Sequence, residues 1–329
     1  MPVEIIAEVA QGYEGNPTLA KLLARGAVRA GADAVKFQLV YADDIATRDY
    51  QYYDLFRSLE MPREAWRAAA EEARAGGARF YLDVFGERSL EEAIKLGADG
   101  VKIHTTDFFN ARLVRAALDA APRVFISLGG ISVEELEEFL ALHRIAPSRQ
   151  VCLMYGFQAD PTPIEHNNLR RLGTLRARFP GYKLGFMDHS EGSSDEALTL
   201  AALVLPYGLD CIEKHISLDR SLQLEDYVSA LSPEQFRVFR DRVRRLEQAL
   251  GTDSLEVTQL EQEYRRRAMK VVVASRQLKK GEVAGAEALR LKRAPRPGPS
   301  SLHRVEQVAG RTVAVEVQPD QPITEEMLA

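Results

Sequence analysis

Cysteine is scarce in these 329 residues: only Cys152 and Cys211 occur, each inside an apolar run and neither in a Cys-x-x-Cys arrangement. That argues against a disulfide framework and reads as two buried, reduced core residues in a reducing compartment. No apolar stretch reaches the roughly 20 residues that a membrane span requires. No N-terminal signal sequence is visible either, because a strand-like run begins almost at once with Val3-Glu4-Ile5-Ile6-Ala7. A basic surplus is also missing: 43 Lys and Arg against 48 Asp and Glu leave a net charge of -5. With a pI near 5.8, neither nucleic acid nor an anionic membrane is expected as the main partner. A soluble, cytoplasmic protein is expected. A chain of this length that is 46% hydrophobic can bury a large core, with one big domain and a small one.

What the chain does have is a regular alternation of strand-like and helical segments. Strand-like runs are read at Val3–Val9, Ala34–Gln38, Arg79–Val84, Gly100–His104, Arg123–Ser127, Val151–Gly156, Lys183–Met187 and Leu209–Ile212. Helical segments lie between them, among them Pro17–Ala30, Arg63–Ala75, Ser132–His143, Leu169–Arg178 and Ser194–Leu203. Ser132 followed by Glu135 marks a helix start with its capping box. Gly31-Ala32-Asp33-Ala34 and Gly97-Ala98-Asp99-Gly100 look alike because each stops a helix with glycine and turns into the next strand. Eight β/α repeats predict a closed (β/α)8 TIM barrel over residues 1–250, in preference to a doubly wound open sheet.

After Gly251 the pattern changes. Residues 233–250 and 255–270 are charged helical sequence, expected to be solvated, and 251–270 is read as a helical linker. Short β-prone pieces at Val271–Ala274, Leu289–Lys292 and Val313–Val317 follow. Turns such as Lys279-Lys280-Gly281-Glu282 separate them, so 271–329 is expected to be a small appended β-rich domain.

In a barrel of this kind catalytic groups cluster at the C-terminal ends of the strands. Those ends carry Glu8, then Lys36 with Gln38, Asp83, Lys102 with His104 and Thr105, Ser127, Gln158, Asp188 with His189, and Glu213 to His215. Ionisable groups are costly to bury unless paired, so their recurrence at one rim points to a site. Lys36 and Lys102, on strands two apart, offer two cations to a phosphate or carboxylate. Ser127, Gly129 and Gly130 give a loop whose backbone N–H groups can approach an anion. Asp188-His189-Ser190 and Glu213-Lys214-His215 each end a strand, with one helical segment between them. The two strands are therefore expected to be parallel neighbours about 4.8 Å apart. Two imidazoles on the same edge of such strands can share one metal ion, with Asp188 and Glu213 as candidate orienters. His104, His143, His166 and His303 lack that context, and of these only His104 is placed near the site.

Taken together, several segments resemble the sialic acid synthase family. They are Ile6-Ala7-Glu8 with Tyr13-Glu14-Gly15, Gly31 through Gln38, and Tyr53-Asp54-Leu55-Phe56 with Leu59-Glu60. Lys102-Ile103, Pro161-Thr162-Pro163, the two histidine motifs and Leu218-Asp219-Arg220 continue the pattern, and the tail from Lys279 resembles the family's antifreeze-like (SAF) domain. Members of that family condense phosphoenolpyruvate with an N-acylated hexose to make nonulosonic acids. The resemblance implies that His189 and His215 bind Mn²⁺ or Mg²⁺, which polarises the aldehyde oxygen of an N-acetylmannosamine-like sugar. It implies that Lys36, Lys102, Thr105 and Ser127 hold phosphoenolpyruvate, with Gln38, Gln158 and Asp188 as further substrate contacts. Glu14 would position or deprotonate water, and Asp226 would contact the sugar. Arg293 would reach into the partner's site of a domain-swapped homodimer.

The chain departs from the family pattern at the phosphate pocket: Asp83 stands where the family has threonine, Met187 where it has serine and Gln158 where it has asparagine. An ionised Asp83 beside a phosphate would oppose its binding unless it paired with Lys36 or Lys102 or kept a proton. Leu222 through Tyr227 replaces the family's Pro-Gly-Pro-Asp-His stretch, and Arg296 is an alternative to Arg293. Two further readings follow. One is a related lyase or aldolase with another carbonyl donor or acceptor, a Schiff-base lysine included; the other is a catalytically silent sugar-binding relative.

Overall fold

Eight strands close into a parallel barrel: β1 Glu4–Ala10, β2 Ala34–Leu39, β3 Arg79–Val84, β4 Gly100–Ile103, β5 Val124–Ser127, β6 Val151–Tyr155, β7 Lys183–Asp188 and β8 Cys211–His215. They are hydrogen-bonded in that order, and β8 returns to β1. The expected TIM barrel is therefore the fold of this chain. The computed structural model describes residues 2–157, 159–295 and 300–329, and the chain divides after Gly251 into two compact units.

Both faces of each strand are buried, so hydrophobic residues run continuously along the strands instead of alternating. Alternation survives in what each face meets. Ile5, Ala7 and Val9 of β1 pack outward in the main core. Ile6 turns inward to meet Ala34, Tyr81, Phe125, Cys152, Met154, Met187 and Cys211 inside the barrel. The Tyr81 and Phe125 rings meet edge to face at 4.9 Å. Cys152 and Cys211 are unbridged and buried, their Sγ atoms 3.7 Å apart. One level lower, Glu4 pairs with Arg79 and Arg123 and accepts from the Tyr81 hydroxyl at 2.7 Å. That charged plug leaves the opposite rim for a site.

The outer layer of the first unit contains α1 Pro17–Arg29, α2 Ala42–Ile45, α3 Tyr53–Ser58, α4 Arg63–Ala75, α5 Glu87–Lys95, α6 Ala111–Ala120, α7 Val133–Leu142, α8 Arg170–Arg178 and α9 Pro233–Leu250. Asn16 caps α1 by accepting from the backbone of Thr18 and Leu19, and Pro17 opens the first turn. The capping box expected at Ser132 and Glu135 starts α7. Gly31 and Gly97, with φ of 83° and 64°, make the two like turns into β2 and β4. α4 sends Trp66 against Tyr13 and Phe37, with ring centroids 5.0 and 5.9 Å away.

Two expectations about the first unit need correction. The segment before β8 forms 3-10 turns at Glu196–Leu198 and Leu200–Tyr207 in place of an α-helix. Pro206 lies inside the second of these and left-handed Gly208 closes it, so a continuing i to i−4 ladder would lack a donor. Residues 233–250 are not simply solvated: α9 buries Phe236, Phe239 and Val243 in the barrel's core. Many Arg and Glu residues on its other face mask a narrow apolar stripe.

The second unit begins with α10 Gln259–Ala268, capped by Thr258 and Glu261 and without a buried residue. Strands β9 Val271–Ala274 and β10 Leu289–Lys292 pair antiparallel, Leu289 opposite Ala274. Val272, Leu278, Val308, Val313, Val317 and Ile323 are among the residues of its separate core. The expected third strand is reduced to isolated bridges, Leu278 with Val317 and Val313 with Leu328.

Candidate active site

Strand register brings ionisable side chains to one level of the barrel. Glu8 is paired with Lys36 on one side and His215 on the other. Asp83 is opposite Lys102, and Met187 is opposite Glu213. Inward side chains of five strands thus form a belt of alternating charge. The Lys36 ammonium contacts Glu8, lies 2.5 Å from Asp83 Oδ1 and 3.4 Å from Glu213 Oε2. The Lys102 ammonium is 2.7 Å from Glu213 Oε1 and 3.5 Å from Asp83 Oδ2. Asp83 therefore pairs with both lysines.

Three carboxylates share two ammonium groups, and burial makes the imbalance costly. The surplus falls on Glu8, whose carboxyl is pushed up to about 8 by burial and by Glu213 and Asp83, against the pull of Lys36. Glu213 goes the other way: despite burial, Lys102 and Lys36 hold its carboxyl well below the usual range. Lys36 is fully buried, yet Asp83, Glu213 and Glu8 outweigh that burial and raise its proton affinity well above the ordinary value.

Above the belt lies a cavity of about 220 Å³. Gln38, Lys102, His189, His215 and Asp226 line it, joined by Glu8, Glu213, His104 and Asp160. The two imidazoles are the expected pair from adjacent parallel strands, with ring centroids 4.9 Å apart. His189 Nδ1 is buried without a hydrogen-bond partner. Burial lowers the proton affinity of His189 to about 4 and that of His215 well below its ordinary value. Both rings are thus neutral near pH 7 and keep a lone pair for a cation. Among the described residues no three His, Cys, Asp or Glu side chains converge as a ready metal cage. Two neutral imidazoles and an orphaned ring nitrogen fit a cation that completes its coordination with water and substrate oxygens.

Several expected contacts lie elsewhere. Lys36 is sealed beneath the cavity, because three carboxylates close over it. Asp188 points away from the barrel interior: it accepts from Ser190 Oγ at 2.6 Å and pairs with buried Lys214 at 3.1 Å. Its period-two neighbours Met187 and His189 take the inward positions, so Asp188 ties the strand end to Ser190 and Lys214. Glu14 is exposed, at φ 47°, in the turn after β1; the carboxylate that β1 sends into the cavity is Glu8. Thr105 and Ser127 join hydroxyls at 2.7 Å beside the belt, and Ser127 reaches Met187 Sδ at 3.9 Å. Gln38 accepts from Gln11 Nε2 at 2.7 Å. Arg293 is exposed on the second unit and donates to the Ala268 carbonyl at 3.2 Å. Gln158 and Arg296 lie outside the described residues.

Asp160 went unread in the sequence. It sits directly before the Pro161-Thr162-Pro163 motif and accepts from Ser229 Oγ, which also reaches the His189 carbonyl at 3.0 Å. An acid placed before proline in the loop after β6 was the available signal. Asp226, in the loop after β8, has its carboxyl pushed up to about 7 by burial and by the like charges of Asp160 and Glu225.

Comparison with known proteins agrees with the fold. Residues 23–254 match the NeuB family and residues 270–329 match the SAF domain. An uncharacterized protein of Methanocaldococcus jannaschii is 28% identical, over 89% of this chain and 85% of its own. The N,N'-diacetyllegionaminic acid synthase of Campylobacter jejuni is 27% identical over 98% of each chain. The crystal structure of an N-acetylneuraminic acid synthetase from Leptospira borgpetersenii, in complex with citrate, superposes with a TM-score of 0.74 at 26% identity. It covers 82% of this chain and 93% of that one. The barrel and the tail agree with these matches, and the chain belongs to the NeuB family.

Proposed function

We propose that this NeuB-type synthase condenses phosphoenolpyruvate with the open-chain aldehyde of an N-acylated, N-acetylmannosamine-like hexose, giving a nonulosonic acid and phosphate. The observation that carries the proposal is the meeting of His189, His215 and Lys102 in one cavity at the C-terminal rim. His189 and His215 would hold a divalent cation, Mn²⁺ or Mg²⁺; when bound, it supplies Lewis-acid polarisation of the aldehyde oxygen. Lys102 anchors the donor's negative charge, with the Thr105 and Ser127 hydroxyls beside it. A carbon–carbon bond forms between C3 of the enol and the aldehyde carbon. Water then adds at C2, and the C2–O bond to phosphate breaks.

Asp226 faces the acceptor side, and its carboxyl, near 7, can hold a sugar hydroxyl as either acid or base. The pH profile of kcat/KM is expected to lose an inflection near 7 in Asp226→Asn; an unshifted profile would assign that inflection elsewhere. A Schiff base on Lys36 is disfavoured, since the amine must lose its proton to attack and its carboxylate partners keep it charged.

Incubation with phosphoenolpyruvate, Mn²⁺ and a panel of N-acyl hexosamines is expected to release inorganic phosphate in step with loss of acceptor. Silence across the panel, with the protein folded, would overturn the proposal. The proposal includes the homodimer that the family resemblance implies; light scattering that reads the mass of a single chain would remove that part.

A further inference from the structure

Two buried ammonium groups at the candidate donor site clasp a carboxylate that the protein itself supplies. Asp83, next to last in β3, lies on the inward face, opposite Gln38 and Lys102, and is fully buried. Its two oxygens divide between the lysines, Oδ1 at 2.5 Å from Lys36 and Oδ2 at 3.5 Å from Lys102. Glu213 takes a second position on each, and Glu8 a third on Lys36. Neither lysine keeps a whole positive charge unpaired for an incoming anion. On the far side of the belt the Thr105 and Ser127 hydroxyls and the Met187 thioether bring no charge.

We infer that Asp83 sets the donor pocket's affinity for phosphate: by holding Lys36 and Lys102 in an internal ion pair, it weakens the hold on the donor's doubly charged phosphate more than that on its singly charged carboxylate. The inference rests on the reading of Lys102 as the donor's anchor. A phosphate oxygen within hydrogen-bonding reach of Lys102 comes within about 6 Å of the Asp83 carboxylate, given the 3.5 Å between Lys102 and Asp83. Repulsion at that range and an effective dielectric near 20 weakens binding roughly tenfold or more per unit charge. A dianion therefore loses more than a monoanion. Removing the Asp83 charge leaves Lys36 and Lys102 facing Glu8 and Glu213, a balanced set that the barrel can retain.

Calorimetric titration of the full chain tests this, with inorganic phosphate and with pyruvate as a monoanionic control, at fixed salt and fixed Mn²⁺. Asp83→Asn keeps the side chain's shape, and Asp83→Thr replaces it with a neutral hydroxyl. Both variants are expected to bind phosphate roughly a hundredfold or more tightly than wild type, with pyruvate, which carries half the charge, gaining only about tenfold. If the threonine variant fails to fold, the asparagine variant decides alone. Unchanged or weaker phosphate binding, or an equal gain for pyruvate, would overturn the inference. Turnover is read separately. Phosphate release by wild type without the gain in the variants sinks the inference alone; the gain without any release by wild type sinks the proposed reaction alone.

Discussion

Replacing His215 with alanine is expected to abolish divalent-cation binding and to reduce turnover on the order of a thousandfold or more. The ring is 6% exposed and stands at the end of β8, 4.9 Å from its neighbour on β7. A cation held by two imidazoles loses half of its protein donors in the variant, because no third metal-ligating side chain converges there among the described residues. The remaining carboxylates cannot easily compensate: Glu213 is engaged by Lys102 at 2.7 Å, and Glu8 by Lys36. Mn²⁺ titration followed by electron paramagnetic resonance separates the outcomes, with circular dichroism as the check on folding. Intact Mn²⁺ affinity in His215→Ala would end the metal role of the pair, whatever happens to the rate.

The barrel was legible because its strands are short, apolar on both faces and punctuated by glycine turns, and because their number fits closure. The histidine pair was legible for the same reason: strand ends on adjacent parallel strands must meet at one rim. Sequence spacing does not say which way a strand-end residue faces. Asp188 and His189 are adjacent, so one turns out to Lys214 and the other in to the cavity, and a shift of one residue exchanges them. Depth was equally hidden. Lys36 and Lys102 look equivalent in sequence, yet carboxylates from β1, β3 and β8 close over Lys36 while Lys102 reaches the cavity. Asp160 belongs to a loop whose path depends on contacts with Ser229, 69 positions away. Local pattern carries no trace of such a contact. The 3-10 turns before β8 were missed because apolar periodicity alone does not distinguish them from an α-helix.

Lys36→Met is expected to lower the unfolding free energy by about 3–5 kcal/mol near neutral pH, the usual cost of stripping one partner from a buried charge network. The methionine fills most of the volume, so the loss is electrostatic. Glu8, Asp83 and Glu213 keep only Lys102 among them, at 2.7 Å from Glu213 and 3.5 Å from Asp83. The loss should depend on pH with a definite sign. In wild type the Glu8 carboxyl is raised from 4.5 to about 8, so between those values the folded chain binds a proton that the unfolded chain has released. Its contribution is fully present below about pH 4.5 and is lost as pH rises through 8. Without Lys36 the one strong attraction opposing that rise is gone, so the carboxyl moves higher and the slope steepens. Urea unfolding at pH 5 and pH 8 should therefore show a smaller deficit in acid and a larger one in base. Adding Asp83→Leu removes one surplus acid and is expected to restore part of the loss at pH 8. A Lys36→Met chain within about 1 kcal/mol of wild type at pH 8 would mean that the three carboxylates are already neutral, and the belt would then be a set of hydrogen bonds rather than ion pairs.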